Sequence, residues 1–488
     1  MKVGPMFDAL RTRALVKATR SRFLSMGLAG LSLVQTLSGC IFNPQKVDVG
    51  LPVPPAYRAF RGDVYAAVPA LDWWRAFHSP ELTRFIEEAQ TENLDIGAAI
   101  GRIMQADAQT KIAGAPLLPT VSLGGTGARM KPSLAAEAGD YRAILNASYQ
   151  FDFWGKNRAA ALAAEENAVA ARFNKEVVVL STVVSVGTAY LLILSSQDQL
   201  RIARENLAAA SRILTLVKQR AEQGTASALD VAQQQSLVDQ VAATIPVFEQ
   251  TLRQNIAVLA ALMGRPPENL VVKGGSLFRL AIPLVTPGLP SELLFQRPDI
   301  RAAEASLASA EASVQSARAA FFPTISLTGQ GGYESTALRL LFTPQHALYN
   351  VAVNMTQPIF DGLVLEGQLE LVKGQRFELL KTYCQSLLNG FRDVEIALIA
   401  VAQQAELERR QNAVVASSRR AFELSETRLR EGVADLVVVL QTEQTYFVAL
   451  ANQATARLGR LQAALSLFQA LGGSWLPPGV GALGRLAQ

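Results

Sequence analysis

Four short segments of this chain alternate apolar with polar residues. From Ala143 to Phe153, Leu145, Ala147, Tyr149, Phe151 and Phe153 fall on one side, and Asn146, Ser148, Gln150 and Asp152 on the other. Just upstream, Val121 and Leu123 alternate with Ser122 and Gly124. The pair recurs far downstream. Ile325 and Leu327 sit between Thr324, Ser326 and Thr328, and Tyr349, Val351, Val353 and Met355 between Asn350, Ala352, Asn354 and Thr356. A period of two predicts β-strands with one apolar and one polar face. Each segment is about ten residues long, which suits a strand crossing a bilayer. Loops bearing Pro and Gly, near 130–140 and 335–346, join the strands of each pair.

After each pair the pattern turns helical. Lys156 to Glu222 contains no Pro and one Gly, Gly187. At 1.5 Å per residue it predicts a rod of about 100 Å. Gly362 to Glu431 is its counterpart. The rods stop at Gly224 and Gly432, the residue type suited to a left-handed cap. Return helices follow, one opened by a capping box of Ser227 and Asp230, the other capped by Asp435. They run to Leu262–Gly264 and Ala470–Gly472. A further helical pattern spans about Pro80 to Ala115 and ends at Pro116 and Pro119. Runs of small residues such as Ala159 to Ala161, Ala168, Ala170 and Ala171 permit close side-by-side packing of the rods.

These elements form a two-fold internal repeat. Asn93-Leu94-Asp95-Ile96 aligns with Arg297-Pro298-Asp299-Ile300, and Pro119-Thr120-Val121-Ser122 with Pro323-Thr324-Ile325-Ser326. Arg220 and Gly224 align with Arg428 and Gly432. One architecture is duplicated, so each half tests the reading of the other. Val177 to Leu194 carries no charge and passes for a membrane-crossing helix by hydropathy alone. The aligned neighbourhood in the second half holds Arg392, Asp393 and Glu395, so the repeat predicts packing inside protein instead.

Four strands cannot close a barrel, and an open sheet edge in lipid leaves backbone groups unpaired. The chain must therefore pool strands with copies of itself: two copies give eight strands and three give twelve. The long rods would continue such a barrel as a helical tube.

Composition agrees with long helices: half the residues are apolar and only 7% aromatic. Two Cys and two His leave no metal or disulfide framework, and Cys384 reads as a buried apolar residue of a helix. The net charge of +5 resides in residues 1–39, which hold six basic residues and one acidic one. The remainder is formally neutral, with no case for nucleic-acid binding. The basic stretch up to Arg22, the apolar stretch Phe23 to Val34 and Leu37-Ser38-Gly39-Cys40 read as an export signal ending in a bacterial lipobox. Cys40 would then carry lipid, and Ile41 in place of an Asp favours the outer membrane. Residues 43–70 read as an extended tether, with structure beginning at Trp73-Trp74 and Phe77.

No nucleophile elbow, phosphate loop or persuasive carboxylate pair is present, and His78 and His346 are isolated. The chemistry that recurs lies at the helical turns: Arg220, Gly224, Arg428, Gly432 and Asp435. Charged residues at a turn are often only solvated turn chemistry. Their equal spacing in both halves favours a role in closing the far end of a tube by salt bridges and in docking.

The stretch from Leu289-Pro290-Ser291-Glu292-Leu293-Leu294 through Arg297-Pro298-Asp299-Ile300 and Ala303-Glu304 to Phe321-Phe322-Pro323-Thr324-Ile325-Ser326-Leu327 resembles the signature of bacterial outer membrane efflux factors. These are TolC-like channels, and the lipoprotein branch is similar to OprM and NodT-type channels. Trp73-Trp74, Phe77, Pro80 and Leu82 are similar to that branch's N-terminal motif. Phe151-Asp152-Phe153-Trp154-Gly155-Lys156 and Gln357-Pro358-Ile359-Phe360-Asp361-Gly362 look like its strand-to-helix junctions. The resemblance implies a homotrimer with a 12-strand barrel in outer-membrane lipid, continued by a 12-helix periplasmic tunnel closed at its tip. It also implies a periplasmic adaptor and a proton-driven inner-membrane transporter as partners, and no cofactor beyond the lipid on Cys40. Its Arg-x-x-x-Gly motif matches at Arg220–Gly224 and Arg428–Gly432, which implies entrance closure and adaptor contact at Arg220, Gly224, Thr225, Asp230, Arg428, Gly432 and Asp435. The chain departs from the family at Leu429, where an aromatic residue is common, and at Val438 and Gln441, where an acidic one is common.

The expected fold is thus mainly α with a membrane β-barrel, each repeat a strand pair on a long helical hairpin. The expected organisation is a signal peptide over 1–39, a lipid-anchored tether over 40–72, a first repeat with helix, strands, hairpin and equatorial segment over 73–288, a second repeat over 289–473 and a tail over 474–488. The expected function is a passive, non-enzymatic exit duct for drugs, solvents or organic acids. A duct of a one-step protein secretion system and a coiled-coil lipoprotein without a pore are the alternatives; the paired strands count against the latter.

Overall fold

The computed structural model of the chain describes residues 54, 57–58, 72–131, 138–283, 297–433 and 435–473. The export signal, Cys40, most of the tether, Leu289–Leu294 and the tail 474–488 lie outside the described residues.

Helix α1 spans Pro80–Glu92 and α2 Leu94–Gly114. The continuous helix expected from Pro80 to Ala115 is therefore broken. Asn93 is extended (φ −67°, ψ 129°), and its Oδ1 accepts the amides of Asp95 and Ile96 as the cap of α2. Strand β1 (Thr120–Met130) pairs with β2 (Ala138–Phe151), and α3 (Lys156–Glu222) and α4 (Ala228–Leu262) form the first hairpin. The second half gives α5 (Pro298–Ala319), β3 (Thr324–Ser335), β4 (Ala347–Thr356), α6 (Val364–Arg430) and α7 (Leu436–Ala470). Both long helices have 67 residues and both return helices 35, so the repeat seen in sequence is matched turn for turn.

The alternation expected through Phe153 ends two residues early. Asp152 belongs to no polar strand face; its carboxylate accepts the amides of Asn157 at 3.0 Å and Arg158 at 2.8 Å and so anchors the start of α3. The two halves meet at this junction. Trp154 Nε1 donates to the carbonyl of Pro323 at 2.8 Å, and its ring stacks on Phe322.

The main core lies midway along the helices. Val183, Val186, Tyr190, Leu191, Ile193 and Leu194 of α3 pack against Trp73, Phe77, Phe85 and Ile86, with Leu259 of α4, Met263 just beyond it, and Leu461, Leu465 and Phe468 of α7. The uncharged stretch Val177–Leu194 is thus core helix. Gly187 permits close packing there, since a Cβ would lie a tight 3.1 Å from Leu465 Cδ2. Cys384 differs from expectation: it is only half-buried.

Carboxylates fasten the segment after α4 to this core. Glu81 accepts the amides of Lys273 and Gly274 and the Tyr190 hydroxyl. Asp198, 1% exposed, accepts the Leu277 amide and the Ser276 hydroxyl at 3.0 Å each. On the other side, buried Glu408 pairs with Arg457 and Arg460, and Arg457 also donates to the carbonyls of Leu277 and Leu280. Removing one member of such a group leaves a charge buried without its partner.

Candidate functional site

The four strands form one antiparallel sheet in the order β1-β2-β3-β4. Its register aligns the polar positions of all four. Ser122, Asn146, Gln330 and Asn350 lie side by side, as do Thr120, Ser148, Thr328 and Ala352. Since cross-strand partners share a face, one face is a ladder of amides and hydroxyls. The opposite face carries Leu123 beside Leu145, and Tyr149 beside Leu327 and Val353. Among the described residues no long helix packs along either face: Leu123 is 78% exposed and Tyr349 88%. Apolar side chains of this size turned outward from a twisted sheet need lipid or a partner. Edges β1 and β4 also present unpaired backbone groups.

The other site is formed by the hairpin ends. The Thr225 amide bonds to the Arg220 carbonyl at 2.8 Å and the Gly224 amide to Ala221. The Val433 amide bonds to Arg428 at 3.0 Å and the Gly432 amide to Leu429. Both are Schellman caps, with Gly224 and Gly432 at φ 74° and 76°. The Arg-x-x-x-Gly spacing is therefore partly a capping requirement: the Gly sits where a Cβ would strain the backbone. Asp230 is likewise held in a capping box with Ser227, whose amide and hydroxyl bind its carboxylate at 2.7 and 2.8 Å. Those bonds hold its pKa below the usual range, with a smaller contribution from Arg220. Asp435 caps α7 through the Val437 amide. Thr225 Oγ1 donates to the Arg220 carbonyl at 3.0 Å.

The two arginines differ. Arg220 Nη1 donates to the Leu429 carbonyl at 3.1 Å and so ties the end of α3 to the end of α6. The exposed guanidinium of Arg428 has no hydrogen bond or ion pair within the chain among the described residues. An apolar cluster of Ile213, Val217, Phe422, Leu429, Leu436 and Val439 holds the ends together beneath these charges. Among the described residues no group of three or more His, Cys, Asp or Glu is placed to hold a metal.

The family profile described as Outer membrane efflux protein matches residues 85–265 and again residues 289–473. The chain belongs to the outer membrane efflux protein family. Over 475 residues it is 37% identical to the pyoverdine export outer membrane protein OpmQ of Pseudomonas aeruginosa, covering 92% of this chain and 98% of that one. It is 31% identical over 464 residues to the toluene efflux pump outer membrane protein TtgF of Pseudomonas putida, covering 93% and 96%. The fold superposes on the outer-membrane channel OprN with a TM-score of 0.82 at 25% identity, over 90% of this chain and 100% of that one. It superposes on the open state of the MtrE outer membrane channel of Neisseria gonorrhoeae with a TM-score of 0.82 at 26% identity, over 89% and 98%.

This outer membrane efflux protein is accordingly a channel component of an efflux system, in the outer membrane, with its long helices extending away from the barrel strands. Two features of it escaped sequence reasoning. Arg297 was legible only as part of a motif, and its partners are set by packing. Glu443 of α7 is fully buried, and a lone Glu between Thr442 and Gln444 carries no pattern that announces burial.

Proposed function

We propose that three copies of the chain close a twelve-stranded barrel and form a passive exit duct for small organic molecules. The observation that carries this is the uncovered four-stranded sheet with one apolar and one polar face. Both edges need strand partners in lipid. Two copies would supply eight strands and three twelve, and the trimer is the assembly that the resemblance to TolC-like channels implies. The amide and hydroxyl rows then line the lumen, and Leu123, Leu145 and Tyr349 meet lipid.

Direction and energy come from partners: a periplasmic adaptor and a proton-driven inner-membrane transporter. The hairpin ends form the entrance. Arg220, Gly224, Thr225, Asp230, Gly432 and Asp435 shape it through their caps, and Arg428 closes it by pairing with an acidic group of a neighbouring copy. Cys40 carries the lipid anchor, and no other cofactor takes part. The related proteins, named for pyoverdine export and toluene efflux, support a cargo of small organic molecules.

The test is accumulation of dyes, antibiotics and aromatic acids in a deletion strain and its complemented partner, with crosslinking of outer membranes alongside. Higher retention on deletion, reversed by the gene, and a crosslinked trimer are expected. Unchanged retention with a trimer present rejects the small-molecule cargo and favours protein secretion; a crosslinked species other than a trimer rejects the barrel.

A further inference from the structure

The polar face of the sheet changes character toward the end farther from the long helices. Cross-strand partners run Ser122–Asn146–Gln330–Asn350, and the next row on the same face is Gly124–Ile144–Gly332–Leu348. Beyond it comes Thr126–Arg142–Glu334, with Asp140 following on β2. Side-chain contacts confirm that these rows share a face. Arg142 pairs across the strands with Glu334 at 3.0 Å, and along β2 with Asp140 at 2.9 Å. On the same side Asn354 donates to Thr328 Oγ1 at 3.3 Å. Rows two residues apart lie about 7 Å from each other. An apolar row, half-buried at Ile144 and Leu348, is therefore set between an amide row and a charged one.

Each row sets a requirement on what can bind there. Two glycines flank Ile144, so the backbone is bare on both sides of it. An aromatic ring laid over a strand glycine covers such backbone. The two glycines differ. A Cβ at Gly332 would strike the Ala143 carbonyl, so strand packing demands glycine there. A Cβ at Gly124 would lie 3.9 Å from the Ile144 carbonyl, an ordinary contact, so packing leaves that position open to a side chain. Nearer the helices, Asn146, Ser148, Thr328, Gln330 and Asn350 line a dent of about 220 Å³ that offers hydrogen bonds. On the far side the charged row holds one base and two acids. Arg142 is shared between both carboxylates, which leaves this cluster with an excess of negative charge.

We propose that this stretch of the lumen is a transit site for amphipathic organic cations, with an aromatic ring against Ile144, Leu348 and Gly124 and the cationic group toward Asp140 and Glu334. The proposal deepens the exit-duct reading, on whose lumen it rests, by naming a cargo class and the place where it pauses. Three copies repeat the rows as rings, so a cargo molecule meets the site on every side of the bore. An apolar patch with a few polar groups around it is the usual make-up of a site for small organic molecules. Weak binding suits a duct, because a passing molecule must be held enough to enter and loosely enough to leave.

Outer membranes holding the full-length protein are irradiated with a benzophenone-bearing trimethylammonium, a photoreactive aromatic cation, and the labelled residues are mapped by mass spectrometry. Label should concentrate at Ile144 and Leu348. Excess benzylammonium should suppress it. Ethylammonium, which lacks a ring, and benzoate, which carries the opposite charge, should suppress it far less. Gly124→Leu covers the bare backbone and should cut labelling at Ile144 about tenfold, the equivalent of losing contact with about two methylene groups. Glu334→Gln removes the excess charge and should lower labelling at both residues. Lumen positions tolerate such changes, so trimer yield should hold in both variants. Label spread evenly over Asn146, Ser148 and Gln330, label that benzoate suppresses as well as benzylammonium does, or no saturable label at all overturns the transit site and leaves the duct standing. Label confined to Leu145, Tyr149 and Val351 means that the strands face the other way, and overturns the lumen assignment together with the site.

Discussion

Arg297 donates through Nη1 to the carbonyl of Ala470, the last residue of α7, at 2.9 Å. The equivalent bond in the first half runs from Asn93 Nδ2 to the carbonyl of Leu262, the last residue of α4, at 2.7 Å. In each repeat, the residue that opens the helix before the strand pair closes the end of the return helix. The halves differ in strength. Asn93 adds only its two capping bonds, whereas buried Arg297 also pairs with Asp299 and reaches Asp393 of α6 at 3.3 Å.

Arg297→Ala should therefore be the more damaging change. Losing this buried guanidinium costs about 2–3 kcal/mol, because its charge-assisted bonds to the Ala470 carbonyl, Asp299 and Asp393 go together, although Asp393 keeps its pairing with Arg392. Asn93→Ala removes a cap and one carbonyl bond, about 1–2 kcal/mol. Thermal unfolding of the purified proteins measures both. Equal losses would show that the two bonds carry the repeat alike.

The N-cap residues of the long helices differ in backbone strain. Gly155 precedes α3 at φ 74°, and Leu363 precedes α6 at φ 71°. A side chain in that region costs about 1–2 kcal/mol. Leu363 is 61% exposed, so little burial offsets the strain. Leu363→Gly should raise the unfolding temperature and Gly155→Leu should lower it. A drop with Leu363→Gly would mean that the exposed leucine packs in the assembled channel.

The sheet register predicts opposite outcomes for two adjacent residues. Leu145 lies on the apolar face and Asn146 on the polar one. A lysine at a lipid-facing mid-strand position costs roughly 2–4 kcal/mol, whereas lumen positions tolerate charge. Leu145→Lys should cut trimer yield in outer membranes, and Asn146→Lys should leave it near wild type. The reverse ranking would turn the barrel inside out.

At the hairpin ends, Arg220 is bound to its own chain, and Arg428 has no partner among the described residues. Charge reversal at Arg428 should lengthen channel openings in planar bilayers without changing the fold of the monomer. Arg220→Ala should act differently, loosening the contact between α3 and α6 and lowering unfolding temperature first. Arg428→Glu channels with wild-type conductance and open times would remove Arg428 from the closing contacts.

Much of this architecture was legible in the chain because it is local. A strand's alternation, a helix free of Pro, a Gly at a left-handed cap and the Ser227–Asp230 box depend on residues a few positions apart. The repeat then fixed the equivalence of the halves, and it resolved Val177–Leu194 as core. Reading continued too far where a capping role outweighed periodicity, as at Asn93 and Asp152.

The sequence by itself determined the element list, the faces of the strands and the lengths of the hairpins, because backbone hydrogen bonds and side-chain periods act over short range. Only the tertiary structure decided that β2 pairs with β3, that Arg297 ends on Ala470, that Arg220 is spent within the chain while Arg428 has no partner among the described residues, and that Glu443 is buried. Those facts depend on which distant groups come to share a surface. Burial and pairing are properties of the packed chain, and no residue carries them in its own identity.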